Sequence, residues 1–291
     1  MSAVAGRVRT SFDVRNRRNR QRLIANAIGL VVLVVMIFPV YWMAATAFKP
    51  GRDVLRFDPK WIPSPWTLDN FDDAIHRPYF WDNVKNSVII VTIVVVLSLV
   101  IGFLAALAIA RFNFYGRKAF IALIIGVQMI PATALIIPLY VLLARVDQVD
   151  RLSGVIVTYL TFVLPFTIWT LRGFVMGIPR ELEEAAMVDG SSRIGAFVRI
   201  LLPLVAPGLV ATSVFVFIQT WNEYVFASVL LTDQSNQTVT VWLSYFYGTS
   251  RNTDWGGLMA ASTLTAIPVI VFFLLVQRRI MFGLTAGAVR G

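Results

Sequence analysis

Cysteine is absent from the 291 residues, and histidine occurs once, as His76. No disulfide framework, thiolate metal site or histidine-built metal centre can be assembled from such a chain, and the redox compartment leaves no trace in it. Charge is scarce: 14% of residues are charged, with 16 acids against 26 Lys and Arg. A GxxxxGK[ST] phosphate loop is missing, so the chain does not bind and split ATP by that route. A lone His76 gives no Ser–His–Asp set, and the clustered acids or histidines of a membrane-embedded enzyme are absent. The last three apolar runs do not repeat the first three, as they do in many secondary transporters. Low-complexity sequence and a soluble second domain are missing too. Apolar sequence is what the chain has: 57% hydrophobic residues and a mean hydropathy of +0.72, well outside the range of soluble domains.

Charge-poor runs predict six membrane-spanning helices, at about 23–47, 86–110, 119–144, 152–175, 204–231 and 256–277. Each is close to the roughly 20 residues needed to cross about 30 Å of hydrocarbon. Unpaired backbone groups are not tolerated in lipid, and no alternation of lipid and lumen faces supports a barrel, so the expected fold is all-α. The net charge of +10 could suggest nucleic acid, but its placement argues for a membrane orientation instead. With the N-terminus inside, segments 1–22, 111–118, 172–203 and 278–291 hold 7, 3, 4 and 3 Lys and Arg, and the outer segments 48–85, 145–151 and 232–254 hold 6, 2 and 1. That bias places both termini, and the segment before span five, in the cytoplasm. Residues 1–22, with Arg7, Arg9, Arg15, Arg17, Arg18, Arg20 and Arg22 against Asp13, read as a basic cytoplasmic anchor rather than a nucleic-acid arm or a cleaved signal.

The polar interruption from Arg180 to Pro207 organises the rest. Pro179 suits a first helical position, and Glu181, Glu183 and Glu184 crowd a first turn where the helix dipole favours negative charge. Asp189-Gly190 supplies a stop, and Ser191 or Ser192 can cap a second helix carrying Ile194, Phe197, Val198 and Leu201 at helical spacing. The expectation is a helix–Gly turn–helix, amphipathic enough to lie on a membrane surface or to be gripped by a partner.

Its spelling favours the partner. Glu184-Ala185-Ala186, three residues, Gly190, nine residues and then Ile200-x-Leu202-Pro203 resembles the EAA signature of permease subunits of binding-protein-dependent ABC importers. The extended form, with Asp189, Phe197 and Pro207, is similar to the sugar-importing, maltose-permease branch. The resemblance implies that 178–203 is a cytoplasmic coupling helix docking into an ATPase, with Glu184, Ala185, Ala186, Asp189, Gly190, Phe197, Ile200, Leu202 and Pro203 at the contact. It implies two nucleotide-binding ATPase subunits, a second, homologous permease and an extracytoplasmic solute-binding protein as partners, in the bacterial plasma membrane. ATP and Mg would sit on the ATPase, and this chain would bind no cofactor. The substrate would be a sugar, of di- or oligosaccharide size, carried by alternating access. Sister importers for glycerol phosphate, a polyol or an amino acid remain the alternative. The ending Leu284-Thr285-Ala286-Gly287-Ala288-Val289 is also similar to this branch, where the 278–291 tail would insert between ATPase subunits.

Polar residues inside the spans offer a pathway. Gln128, Pro131, Thr133 and Pro138 sit in span three, where prolines free backbone carbonyls beside a cavity or at a packed kink. Span four carries Thr158, Tyr159, Thr161 and Thr167, which read either as helix–helix glue or as a lining for a hydroxylated solute. In span five, Gln219, Asn222, Glu223 and Phe226 fall at i, i+3, i+4 and i+7 on one expected helix face. Carboxylate and amide groups beside aromatic rings suit a sugar: acceptors for hydroxyls and rings for the CH faces. Glu223 could equally lie at the outer boundary or pair with a neighbouring helix. Trp221-Asn222-Glu223-Tyr224 resembles a recurrent element of sugar-importer permeases. The loop 48–85, with Trp61, Trp66 and Trp81, reads as an interfacial belt or a partner contact. The loop 232–254 corresponds in maltose-type permeases to one that reaches toward the binding protein.

Overall fold

The computed structural model describes the backbone of residues 2–247 and 253–288, and the side chains of 20–247 and 253–277. The arginines before Arg20 and the ending 284–289 therefore lie outside the described side chains.

The described elements are α1 (Ser2–Ala47), α2 (Gly51–Val54), α3 (Asp69–His76), α4 (Phe80–Arg111), α5 (Arg117–Val127) and α6 (Ile136–Arg145). They continue with α7 (Leu152–Met176), α8 (Glu181–Val188), α9 (Arg193–Ala196), α10 (Leu202–Trp221), α11 (Val225–Leu230), α12 (Val239–Leu243) and α13 (Trp255–Ala288). No strand occurs among the described residues. Five helices are long and apolar enough to cross a membrane, and a bent pair makes a sixth if counted as one span.

The chain divides into two compact units, residues 1–73 with 254–263 and residues 74–253 with 264–291. In the first, α1 runs without a break from the basic tail into the apolar run, with Pro39 inside it. The loop that follows is folded, not open. Asn70 Nδ2 donates to the carbonyls of Ala47 and Lys49, each at 2.8 Å, and the first of these is an acceptor that the end of α1 leaves without a partner. The Lys49 ammonium lies 4.0 Å from the centre of the Trp42 ring, and its burial pulls its pKa down. Asp53, also buried, pairs with Arg56 at 3.0 Å and Lys60 at 2.9 Å. Trp61 and Trp66 remain largely exposed.

The second unit is built on α4, α7 and α10. Of these, α4 and α7 form the most extensive pair. Gly102 lets the two backbones approach, because a β-carbon there would strike the Thr167 side chain. Small residues at such crossings are the usual packing solution where lipid removes any hydrophobic drive between helices. One cluster, around Val94, Tyr159, Val163, Val216 and Phe226, fills one end of the bundle. Another, around Phe103, Ala106, Leu171, Val175 and Leu201, fills the other.

Two predicted spans are interrupted. The run 119–144 is α5 followed by a turn-and-helix from Ala132 to Arg145, bent by 98°. Pro131 has no N–H to continue the ladder and pushes the residue before it out of the helical region, so the helix ends at Val127. The run 204–231 stops at Trp221 and restarts at Val225. Apolar sequence resumes beyond the few polar residues at each break, which is why composition reads each as a single rod.

Candidate functional site

The helix–turn–helix expected before span five is present. The α8 helix starts at Glu181, with Arg180 as its N-cap residue, two positions later than Pro179 at the first helical position requires. Glu181, Glu183 and Glu184 occupy its first turn. Gly190 turns the chain at φ +90°, a conformation that costs other L-residues on the order of 1–2 kcal/mol. Ser192, one of the two candidate caps, accepts from the Gly195 N–H at 3.0 Å. From there α9 passes through a π-helical turn, Phe197–Leu201, directly into α10. The second arm is thus the beginning of a membrane-length helix.

Glu184, Ala185, Asp189, Gly190 and Pro203 are exposed, and Ala186, Phe197, Ile200 and Leu202 are half-buried. The apolar set expected on one face is split. Leu201 is fully buried and Phe197 stacks on Phe103 with ring centres 5.7 Å apart, whereas Ile194 is 75% exposed. With Val188 at 87%, Ile194 makes an apolar tip on either side of the glycine turn. The sequence placed Ile194 on one apolar face with Phe197, Val198 and Leu201, and Val188 was passed over. A cluster of charge near the hairpin was also missed: Arg111, at the end of α4, pairs with Glu183 at 2.7 Å and donates to the Ile178 carbonyl.

Further along the bundle a cavity of about 620 Å³ is lined by five of the six predicted pathway residues: Gln128, Tyr159, Gln219, Glu223 and Phe226. Gln128 reaches it because the α5 break places it at the rim. Asn222 does not line it: it caps α10, is exposed, and returns its amide N–H to the Ile218 carbonyl at 2.9 Å. A shared i, i+3, i+4, i+7 face requires one continuous helix, and α10 ends one residue before Asn222.

Glu223 has a defined task. Its Oε1 accepts from the Phe226 N–H at 2.8 Å, and its Oε2 accepts from the Ala227 N–H at 3.1 Å and the Tyr159 hydroxyl at 2.6 Å. Two oxygens thus serve the otherwise unpaired first turn of α11. The adjoining wall is aromatic, with Phe162 on Phe226 at 4.7 Å and Phe166 on Phe215 at 3.8 Å between ring centres. Thr220, which sequence reasoning did not select, also lines the cavity with its buried hydroxyl unpartnered. The wall can therefore offer amide and hydroxyl groups between ring faces.

The loop expected to reach outward is largely folded in. Trp242 and Phe246 are buried, and the Trp242 indole N–H donates to the Pro78 carbonyl at 3.0 Å. Val239 N–H donates to Ser87 Oγ at 2.8 Å, and Thr240 Oγ1 donates to the Glu223 carbonyl at 2.9 Å. Tyr245 and Tyr247 remain on the surface.

Compared with known proteins, residues 98–284 match the family described as binding-protein-dependent transport system inner membrane component. The chain is 43% identical to the diacetylchitobiose uptake system permease protein DasC of Streptomyces coelicolor, covering 93% of this chain and 98% of that one. It is 37% identical to the trehalose transport system permease protein SugB of Mycobacterium tuberculosis, over 90% and 95% of the two chains. The trehalose/maltose transport system permease protein MalG of Thermococcus litoralis is 34% identical over the same shares, 90% and 95%. Among solved structures, a chain of a bacterial ABC transporter involved in the import of alginate matches with a TM-score of 0.74 at 22% identity, covering 90% of this chain and 97% of that one. That likeness is one of fold.

Proposed function

The chain belongs to the family of inner-membrane components of binding-protein-dependent transport systems, and from that premise we propose that it forms half of a pathway importing a di- or oligosaccharide. The observation that carries the reading is a cavity with amide, hydroxyl and carboxylate groups set between aromatic faces, in a chain whose relatives are permeases named for disaccharide uptake. Hydroxyl-rich solutes need donors and acceptors along the ring edge and flat apolar surface against the CH faces, and both are present.

The protein is a transport subunit, and the work comes from elsewhere. Two nucleotide-binding subunits carry ATP and Mg, and the exposed tip from Glu184 to Ile194 docks into their cleft. A second permease completes the pathway, and an extracytoplasmic binding protein delivers the solute. The Lys and Arg bias puts both termini and this tip in the cytoplasm. Closure of the ATPase pair displaces the α8–α9 hairpin, and the bundle re-packs so that the cavity opens outward.

Reconstitution in proteoliposomes tests this, with the partner permease, the ATPase and the binding protein, on a panel of labelled disaccharides, oligosaccharides, amino acids and glycerol phosphate. ATP-dependent accumulation of an oligosaccharide is expected. Accumulation of an amino acid alone, or uptake with no ATPase present, overturns the reading.

A further inference from the structure

The hairpin is held to the bundle by charge. The last turn of α4 ends with carbonyls that have no partner inside the helix. Arg180, at the N-cap of α8, donates Nη2 to one of them, Ala110 O, at 3.1 Å. In the opposite direction Arg111, the last residue of α4, donates Nη2 to Ile178 O at 3.0 Å and pairs with Glu183 of α8 at 2.7 Å. Three segments are thereby stitched by two arginines that cross between them: the end of α4, the turn after α7 and the first turn of α8.

The pair is largely removed from water, with 10% of the Arg111 side chain and 20% of that of Glu183 exposed. Beside it lies a cavity of about 310 Å³ walled by Arg111, Glu183, Met187, Arg193 and Phe197. On this side, then, polar bonds rather than continuous apolar packing hold α8 to α4. Beyond α8 the character changes: Gly190 at φ +90° is exposed with open space around it, and Phe197–Leu201 is π-helical, a rare form found frequently at functional sites.

We propose that Arg111 and Glu183, with Arg180, are positioning residues that deliver displacement of α8 to α4, leaving Gly190 and the π turn as the compliant side of the hairpin. Desolvated pairs of this kind contribute little net stability but hold a fixed geometry, and removing one partner is costly. Because α4 packs along α7, which carries Tyr159, Thr161 and Phe162 on the cavity wall, the linkage runs from the hairpin to the pathway. The inference rests on the reading that α8 docks on a nucleotide-binding partner.

The test uses the full transporter with Glu183→Gln, Arg111→Gln, the double variant and Glu183→Asp. Uptake per ATP hydrolysed should fall roughly tenfold in each single Gln variant, a loss of the size such couplings produce, and no further in the double. Glu183→Asp keeps the charge and should recover most of it. Spin labels on cysteines introduced at Leu182 and Leu104, in a chain with no native cysteine, read the motion directly. Their separation should be indifferent to nucleotide in the parent and nucleotide-dependent in Glu183→Gln. Unchanged coupling in the Gln variants, additive losses, a separation as fixed as the parent's, or failure of the Gln variants to assemble with the ATPase overturns the proposal. A parent complex that neither hydrolyses ATP nor moves sugar refutes the transport reading instead.

Discussion

Tyr159 and Glu223 meet across the cavity, the phenol donating to Oε2 at 2.6 Å while the carboxylate holds the first turn of α11 through Phe226 and Ala227. One acid thus closes a break in a membrane helix and shapes a cavity wall. A single substitution should disturb both.

Glu223→Ala is expected to destabilise the protein by about 2–3 kcal/mol, the sum of a lost cap and a stranded phenol. Uptake should fall more steeply than for Tyr159→Phe, which removes one bond and leaves the cap. Thermal unfolding in detergent and sugar uptake on the two variants measure this. Equal stability of Glu223→Ala and the parent would show that the cap is idle.

Gly190→Val forces a β-branched side chain into a left-handed backbone at a cost of roughly 1–2 kcal/mol. No neighbour crowds the position, so membrane insertion should survive. ATP hydrolysis should continue while sugar accumulation drops. Gly190→Asn, better tolerated in that conformation, should retain more transport. Normal accumulation by the Val variant ends the claim that the turn angle matters.

Ser192→Ala removes the Oγ that takes the Gly195 N–H and should cost about 1 kcal/mol. The loss is local. Hydrogen exchange should quicken at 195–197 and stay unchanged in α7, and protection identical to the parent throughout would argue against the cap.

Asp53 gives the pH dependence. Bonds from Lys60 and then Arg56 hold its carboxyl below its ordinary value. A depressed folded pKa means that the group's stabilisation is fully present above the unfolded value and is lost as pH falls through the folded one. The parent should therefore lose stability from about pH 4 downward, along a slope that Asp53→Asn lacks. Melting temperatures of both proteins between pH 6 and about pH 2.5 check it, and parallel curves would contradict the assignment.

Spans one, two, four and six were legible because apolar length is a property of composition, and lipid leaves a chain of that composition little choice but helix. The Gly190 turn and the Ser192 cap were legible for a different reason: a left-handed residue and an N-cap are satisfied within a few residues of themselves. The break at Asn222–Tyr224 was not, and at Gln128–Pro131 the proline announced a kink but not a 98° bend, since apolar sequence resuming beyond a short polar stretch hides where a ladder of hydrogen bonds stops. Asn222 shows the consequence, placed on the wall by a helical period that no longer applied.

By itself, then, the order of residues determined an all-helical membrane chain with a polar hairpin before its fifth apolar run, because these depend on transfer from water and on local backbone chemistry. Tertiary structure decided that Glu223 would cap a second helix and meet Tyr159, that Gln128 would reach the same cavity, and that Arg111 would find Glu183. Tyr159 and Glu223, like Arg111 and Glu183, lie far apart along the chain, and only the packing of the helices brings the side chains of each pair together.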